Sequence, residues 1–235
     1  MTLTPAQLAA TLEATNLRLD ATAAEIQALC TEAAAHAYAC VMIYPTSVPL
    51  AARVLAGTGV HIGTVIGFPS GRFTTAAKAA EIDAMAAAGA HEVDLVMNYA
   101  ALREGETAVV ATELLALTRR GHGHGQLVKV ITENCYLTEA QQLTALELCE
   151  TAGVDFIKTS TGFGSGGAKV EHIALWARHR RTAIKIKAAG GIKTLRDALA
   201  LLQAGAARLG TSNAAALLAE LQNKTVAGGA DTGAY

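Results

Sequence analysis

The feature that most constrains this chain is an alternation between short β-branched runs and longer stretches rich in Ala, Leu and Glu. The short runs predict seven strands, at about 39–44, 60–66, 92–97, 127–132, 154–159, 183–188 and 206–210. The longer stretches predict helices at about 22–36, 47–56, 74–89, 106–120, 138–152, 169–179, 194–203 and 213–222. Strands that alternate with helices are typical of a parallel sheet whose faces the helices cover.

The length of the chain indicates how that sheet closes. A weaker eighth strand at 14–17, after a short N-terminal helix at 5–12, completes eight β/α units within 235 residues. Eight such units in one chain of this size predict a (β/α)8 TIM barrel, with an open doubly wound sheet as the alternative. No linker or composition shift divides residues 1–235, so we expect a single domain. Its glycine-containing end, 222–235, is expected to be a mobile tail.

Composition and charge exclude several other classes of protein. Hydrophobic residues make up 51% of the chain, which is too apolar for a disordered protein. The 19 basic and 20 acidic residues lack the basic surplus typical of a nucleic-acid-binding protein. No apolar run approaches the roughly 20 residues of a membrane span, and the N-terminus lacks a signal-peptide pattern. We therefore expect a cytoplasmic protein that binds neither nucleic acid nor membrane.

Strand parity directs several charged side chains toward one interior. Successive residues of a strand point to opposite faces, and in these strands the apolar set is expected to pack against the helices. The other set then brings Asp94, Lys129, Lys158 and the pair Lys185/Lys187 together from four consecutive strands. The alternative is that each lysine lies at the barrel rim and reaches water, since lysines are rarely buried without a partner. Four successive strands with the same pattern favour a common site.

Two neighbouring lysines and one carboxylate suit chemistry on a carbonyl group. Desolvation or a nearby ammonium lowers the pKa of a lysine, and the neutral amine attacks a carbonyl to form a Schiff base. In this hypothesis one lysine attacks, the second lowers its pKa, and the aspartate moves protons. Asp94, Lys158 and Lys187 are the residues that fit these roles.

Small-residue loops follow three of the predicted strands. They contain Gly162–Gly167 after Lys158, Gly190–Gly191 after Lys187, and Gly210–Ser212 after Arg208. Backbone N–H groups in such loops bind anions, and the loops after strands 7 and 8 of β/α barrels often bind phosphate. Ordinary tight turns are the alternative. The Gly162–Gly167 loop matches GxGxxG but lacks the acidic residue about 20 positions later that a dinucleotide site needs.

Six segments carry a resemblance that runs in order along the chain: TVIGFPSG (64–71), HEVDLVMN (91–98), VKVITE (128–133), DFIKTSTGFG (155–164), IKAAGGIKT (186–194) and RLGTSN (208–213). They resemble the deoxyribose-phosphate aldolases, a family of class I aldolases. The resemblance implies reversible cleavage of 2-deoxy-D-ribose 5-phosphate to acetaldehyde and D-glyceraldehyde 3-phosphate. It implies a Schiff base on Lys158, activation by Lys187, and a proton relay through Asp94.

The resemblance also implies a larger set of residues that bind the substrate and its phosphate. This set comprises Thr15, Lys129, Thr161, Gly162, Gly190, Gly191, Gly210, Thr211, Ser212 and the terminal Tyr235. No metal or organic cofactor is implied. A homodimer and a role in deoxyribonucleotide catabolism are further expectations from the family.

Three positions depart from the family pattern. Glu13 stands where a shorter acid is usual, Met42 stands where many relatives carry cysteine, and Lys185 replaces a residue that is usually small. Two other functions remain as alternatives: a phosphosugar-binding barrel without catalysis, and a lysine-dependent aldolase that acts on keto acids.

Overall fold

Eight parallel strands close into a barrel in the computed structural model, which describes residues 3–229. The ring is complete because β1 pairs with both β2 and β8. The strands are β1 (Leu12–Asn16), β2 (Cys40–Ile43), β3 (His61–Ile66), β4 (Glu92–Val96), β5 (Leu127–Ile131), β6 (Phe156–Lys158), β7 (Lys185–Ala189) and β8 (Arg208–Thr211). The predicted (β/α)8 TIM barrel is confirmed, and the open sheet is excluded.

Helices connect the strands and surround the barrel. They are α1 (Pro5–Ala9), α2 (Ala23–His36), α3 (Val48–Val54), α4 (Thr75–Ala88), α5 (Tyr99–Arg103), α6 (Thr107–Gly123), α7 (Glu139–Ala152), α8 (Val170–His179), α9 (Leu195–Gln203) and α10 (Ala214–Gly229). Two short 3-10 helices follow β2 and β5, at Pro45–Ser47 and Asn134–Tyr136. None of the described helices is long and apolar enough to cross a membrane.

Local sequence signals explain where several helices begin and end. Thr22 and Thr138 each accept a backbone hydrogen bond at the start of α2 and α7, while Glu25 and Gln141 complete capping boxes. α7 ends at Gly153, whose φ of 72° is the left-handed conformation that glycine adopts readily. These caps satisfy backbone groups that helix ends leave without intrahelical partners.

The two faces of the barrel sheet differ sharply. The outward set, represented by Val93, Val128, Ile157 and Ile186, is fully buried against the helices and forms the main core. Inside the barrel a small apolar cluster contains Leu17, Cys40, Val65 and the atypical Met42, all buried. The same interior holds buried charged side chains, among them Asp94, Lys129 and Lys187, so the apolar core and the charged cluster lie on opposite faces of the sheet.

The structure corrects two boundaries that matter for the site. β1 begins at Leu12 rather than at 14, and α1 ends at Ala9 rather than at 12, so Glu13 belongs to a strand. α10 continues to Gly229, so the part of the expected loose tail from 222 to 229 is helical instead. The stretch lacks proline and has glycine only at its end, which leaves helix formation unopposed. The terminal Tyr235 lies outside the described residues.

Candidate active site

Three lysines converge on Asp94 inside the barrel. Asp94 accepts hydrogen bonds from Lys158 Nζ at 2.5 Å, Lys187 Nζ at 2.7 Å and Lys129 Nζ at 3.0 Å. Asp94, Lys129 and Lys187 are completely buried, and Lys158 keeps only 3% of its surface exposed. The register aligns Asp94 with Lys129, and Lys158 with Lys187, on paired strands. The barrel therefore brings Asp94, Lys129, Lys158 and Lys187 together, as strand parity predicts.

A lower layer of charges supports this cluster toward the N-terminal end of the barrel. Glu13 forms ion pairs with Lys187, Lys129 (3.5 Å) and Arg208 (3.7 Å). Glu92 forms ion pairs with Lys129 and Arg208, the latter at 3.9 Å. The extra methylene of Glu13 allows its two oxygens to meet different cations, Lys187 at one and Arg208 at the other.

The pKa values within the cluster diverge. Burial lowers the pKa of Lys158 to about 8, and the neighbouring Lys187 ammonium adds to this effect against the attraction of Asp94. Burial opposes the charge of Asp94, but Lys129, Lys158 and Lys187 outweigh it and hold its pKa well below the usual range. Lys158 thus loses its proton more readily than an ordinary lysine, while Asp94 stays anionic.

A cavity of about 770 Å³ opens above Lys158 at the C-terminal ends of the strands. It brings together most of the predicted binding residues: Thr15, Thr161, Gly162, Gly190, Gly191, Gly210, Thr211 and Ser212. Three of its glycines, Gly162, Gly190 and Gly191, have φ between 77° and 89°, where a side chain is strained. Active sites of β/α barrels lie at this end of the barrel.

Lys129, a predicted substrate-binding residue, is not among the residues that line the cavity. Its Nζ is completely buried beneath Asp94 among three carboxylates. Burial opposes its charge, but Asp94, Glu13 and Glu92 raise its pKa well above the ordinary value. Asp94 and Lys187 do not line the cavity either. Of these four residues, Lys158 is the one that reaches the cavity.

Two of the predicted binding residues, Thr211 and Thr161, form hydrogen bonds that hold the loops in place. The Thr211 hydroxyl donates to Ile192 O at 2.9 Å and accepts from Asn213 N at 3.0 Å, which joins the loops after β7 and β8. Thr161 donates through its hydroxyl and its backbone N–H to the buried carboxylate of Glu133. Burial raises the pKa of Glu133, and this residue has a φ of 53°, rare outside glycine.

Sequence reasoning missed Glu13, Glu92, Glu133 and Arg208 as members of the site. Strand parity offered a signal for Glu92, which lies two residues before Asp94, and for Arg208, which lies two residues before Gly210. The third departure, Lys185, lies exposed at the N-terminal mouth with its Nζ 5.6 Å from the centre of the Phe156 ring.

One group of side chains inside the barrel could hold a cation by distance alone. Glu13, Cys40 and Glu92 place a ligand atom each within 4.8 Å of one another. Lys129 Nζ already binds both carboxylates, and burial raises the pKa of the Cys40 thiol well above its usual value. Because the thiolate is the form that binds metals, this group is better described as an ammonium site.

Fold and cavity together define a class: a (β/α)8-barrel protein whose C-terminal cavity ends on a desolvated lysine. A model of the family described as DeoC/LacD family aldolase matches residues 8–223, and the chain belongs to this family.

Known relatives agree with that assignment. The chain is 44% identical over 207 residues to the deoxyribose-phosphate aldolase of Bacteroides thetaiotaomicron, covering 88% of this chain and 87% of the relative. It is 42% identical over 224 residues to the one from Micrococcus luteus, covering 93% and 98%. A deoxyribose phosphate aldolase from Aeropyrum pernix, described as tetrameric, superposes with a TM-score of 0.87 at 27% identity, covering 94% and 93%.

Proposed function

We propose that this chain cleaves 2-deoxy-D-ribose 5-phosphate reversibly to acetaldehyde and D-glyceraldehyde 3-phosphate through a Schiff base on Lys158. The observation that carries the proposal is the position of Lys158, a buried amine with a pKa of about 8 at the floor of the cavity. Relatives at 42–44% identity over most of the chain carry the name of this activity. Lys158 is thus the nucleophile of the proposed reaction, and the named activity of the relatives indicates its substrate.

The reaction begins with the neutral amine of Lys158. Its lone pair attacks the C1 aldehyde carbon of the open-chain sugar, and the carbinolamine loses water to give an iminium ion. The C2–C3 bond then breaks as the C3 hydroxyl loses its proton. The bond electrons move into the iminium, which becomes an enamine, and D-glyceraldehyde 3-phosphate leaves. Protonation of the enamine at C2 and hydrolysis of the resulting iminium release acetaldehyde and regenerate Lys158.

Asp94 and Lys187 serve the proton transfers in this scheme. Asp94 Oδ2 lies 2.5 Å from Lys158 Nζ and 2.7 Å from Lys187 Nζ, so a proton can pass among these groups without side-chain rearrangement. The low pKa of Asp94 makes it a transient carrier rather than a resting acid. We propose that a water molecule connects the pair to the C3 hydroxyl.

The phosphate is proposed to bind at the rim of the cavity. Gly162, Gly190, Gly191, Gly210 and Ser212 line this rim, and α10 begins directly after the last of these loops. Backbone N–H groups and the N-terminal end of a helix favour a dianion at such a position. Lys129 supports the site through the charges of Asp94 and Glu92 rather than through contact with substrate.

Borohydride reduction with acetaldehyde tests the proposed function. Reduction should leave an ethyl group on Nζ of Lys158, detected by intact mass and peptide mapping, and Lys158→Arg should abolish it. A protein that only binds phosphosugars would not be labelled. A keto-acid aldolase would be labelled with pyruvate instead of acetaldehyde, and either outcome would contradict the proposal.

Tyr235 is proposed to reach the cavity and to assist protonation of the enamine, as the family resemblance implies. Replacement by Phe should slow deuterium exchange into the methyl group of acetaldehyde by about 10–100-fold, the scale of one acid–base group. Stability should be unchanged because the barrel strands end at Thr211. Exchange at the wild-type rate would contradict this role.

We also propose that the protein is a homodimer, that it is cytoplasmic and that it serves deoxyribonucleotide catabolism. Support comes from the family to which the chain belongs. One similar protein of known structure is described as tetrameric. Light scattering on purified protein measures the mass directly, and any mass other than that of two chains would contradict the dimer.

A further inference from the structure

Arg208 contributes a permanent charge to the buried cluster from below. It is the first residue of β8 and lies in register with Lys187. Its guanidinium carbon sits 5.8 Å from the centre of the Phe156 ring, and its side chain is only 19% exposed. Its Nη1 lies 3.7 Å from Glu13 Oε1, and neither of these two buried atoms has a hydrogen-bond partner. Charge, rather than hydrogen bonding, is what this contact supplies.

Among its carboxylate, lysine and arginine side chains, the ion-pair network contains one more basic group than acidic groups. Glu13, Glu92 and Asp94 form the acidic part, and all three are completely buried. The basic part is formed by Lys129, Lys158, Lys187 and Arg208. Because isolated charges are costly in a protein interior, the network is most stable when one lysine is neutral. Arginine cannot be deprotonated in a protein, so the neutral group must be a lysine.

Geometry selects Lys158 as that group. Lys129 and Lys187 each contact two or more carboxylates, whereas Asp94 is the one carboxylate within ion-pair distance of Lys158 among the described residues. We propose that Arg208 is a positioning residue that keeps Lys158 uncharged, because it neutralises Glu13 and Glu92 from below and leaves no carboxylate that requires a fourth cation. Without Arg208 the three carboxylates face two other cations, and the Lys158 ammonium completes the balance.

Other titratable groups lie beside Lys158 or belong to the charged cluster around Asp94, and they must be considered in any pH experiment. They are Glu13 on β1, Cys40 on β2, Glu92 and Asp94 on β4, Lys129 on β5, Glu133 after β5, and Lys187 on β7. Glu133 is engaged by Thr161. His61 on β3 lies 2.7 Å from Glu92 at the edge of the network, and its side chain is half-exposed.

The value of this charge for catalysis rests on the proposed function, but the charge state of Lys158 can be measured without it. Competitive acetylation of lysines by acetic anhydride, followed by peptide mass mapping across pH, gives the protonation midpoint of Lys158. In Arg208→Met we expect this midpoint to rise by about one pH unit or more. The value of kcat/KM at pH 7 should fall about tenfold and recover at alkaline pH.

Two further variants control this experiment. Lys185→Met removes a basic residue from the same mouth and the same aromatic ring, but Lys185 has no ion pair within the described part of the chain, so the midpoint should not move. Arg208→Lys keeps the charge and should restore the wild-type midpoint. If Arg208→Met does not accumulate as folded protein, Arg208→Gln carries the same expectation.

The labelling result separates this inference from the proposed function. An unchanged midpoint in folded Arg208→Met or Arg208→Gln would overturn the role of Arg208, because a carboxylate would then have taken the proton instead. An equal shift in Lys185→Met would also overturn it, since any charge at the mouth would suffice. A shifted midpoint in a protein without aldolase activity would support the inference and contradict only the proposed function.

Discussion

Two buried lysines of this protein, Lys78 and Lys158, differ in the partners that surround their amines. Lys78 on α4 is completely buried and donates to Glu113 Oε1 and to Val96 O, each at 2.9 Å. Lys158 is nearly as buried, but it shares Asp94 with Lys129 and Lys187. Burial lowers the pKa of both amines, but for Lys78 a carboxylate of its own opposes that effect. The comparison teaches that burial alone does not make a nucleophile; a neighbouring ammonium and an open cavity are also needed.

The largest expected effect comes from removing the nucleophile itself. Lys158→Arg should lower cleavage of 2-deoxy-D-ribose 5-phosphate by more than about 10³-fold, because arginine stays charged and forms no imine. Steady-state kinetics and circular dichroism measure activity and fold. Lys185→Arg, at the exposed mouth, is the matched control and should stay near the wild-type rate. Activity above about a thousandth of wild type in Lys158→Arg would indicate another nucleophile.

Removing Lys187, which shares Asp94 with Lys158, should leave Lys158 more strongly paired with a carboxylate, as Lys78 is. Lys187→Leu leaves Asp94 and Glu13 with one ammonium fewer, so Lys158 should retain its proton to higher pH. The neutral amine is the reactive form; raising its pKa therefore lowers kcat/KM at neutral pH, by about 10²–10⁴-fold. Part of the loss should return as the pH rises. A pH–rate profile that matches wild type would contradict the role given to Lys187.

A complementary experiment disrupts the ion pair between Lys78 and Glu113. Lys78→Met leaves the Glu113 carboxylate buried without its cation and should lower the free energy of unfolding by about 3–5 kcal/mol. Chemical denaturation measures this loss, and Lys78→Met combined with Glu113→Gln should recover much of it. The kcat/KM of the folded fraction should remain unchanged across pH. A shifted pH profile would mean that the two lysines are coupled, which the comparison denies.

The smallest expected effect lies at the cavity rim, away from either lysine. Ser212→Asp introduces a carboxylate where the substrate phosphate is proposed to bind, and KM for the phosphorylated sugar should rise about 10–100-fold, roughly 1.4–2.8 kcal/mol. Unphosphorylated 2-deoxyribose should be affected much less. Equal losses for both substrates would show that the loop serves only the fold.

Much of this site follows from the sequence because strand parity is a local property. Alternation along four predicted strands directs Asp94, Lys129, Lys158 and Lys187 to one interior, where the structure has them. Strand parity does not predict how deep Lys129 lies in the barrel, since burial depth depends on neighbours from other strands. The closed barrel itself is predictable from the sequence, because the prediction rests on counting β/α units.

The remaining parts of the site depend on contacts that no local pattern contains. Glu13 and Lys187 are 174 positions apart and meet only when β1 closes against β8. A predicted β1 that begins at 14 leaves Glu13 outside the strand, which removes it from the parity argument. Strand parity directs Arg208 inward, but its carboxylate partners Glu13 and Glu92 become apparent only when the ring is closed. Long-range electrostatic partners therefore escape prediction from sequence even where the fold does not.

The most direct test of the account is the protonation midpoint of Lys158 in the wild-type protein, measured by competitive acetylation and compared with that of Lys78. The account predicts a midpoint near pH 8 for Lys158, coinciding with the point below which kcat/KM falls as the amine gains its proton. Lys78 should react much more slowly at every pH, because its amine is bound and excluded from the cavity. A midpoint for Lys158 near 10.4, the value of an ordinary lysine, would contradict the claim that burial beside the Lys187 ammonium produces the nucleophile.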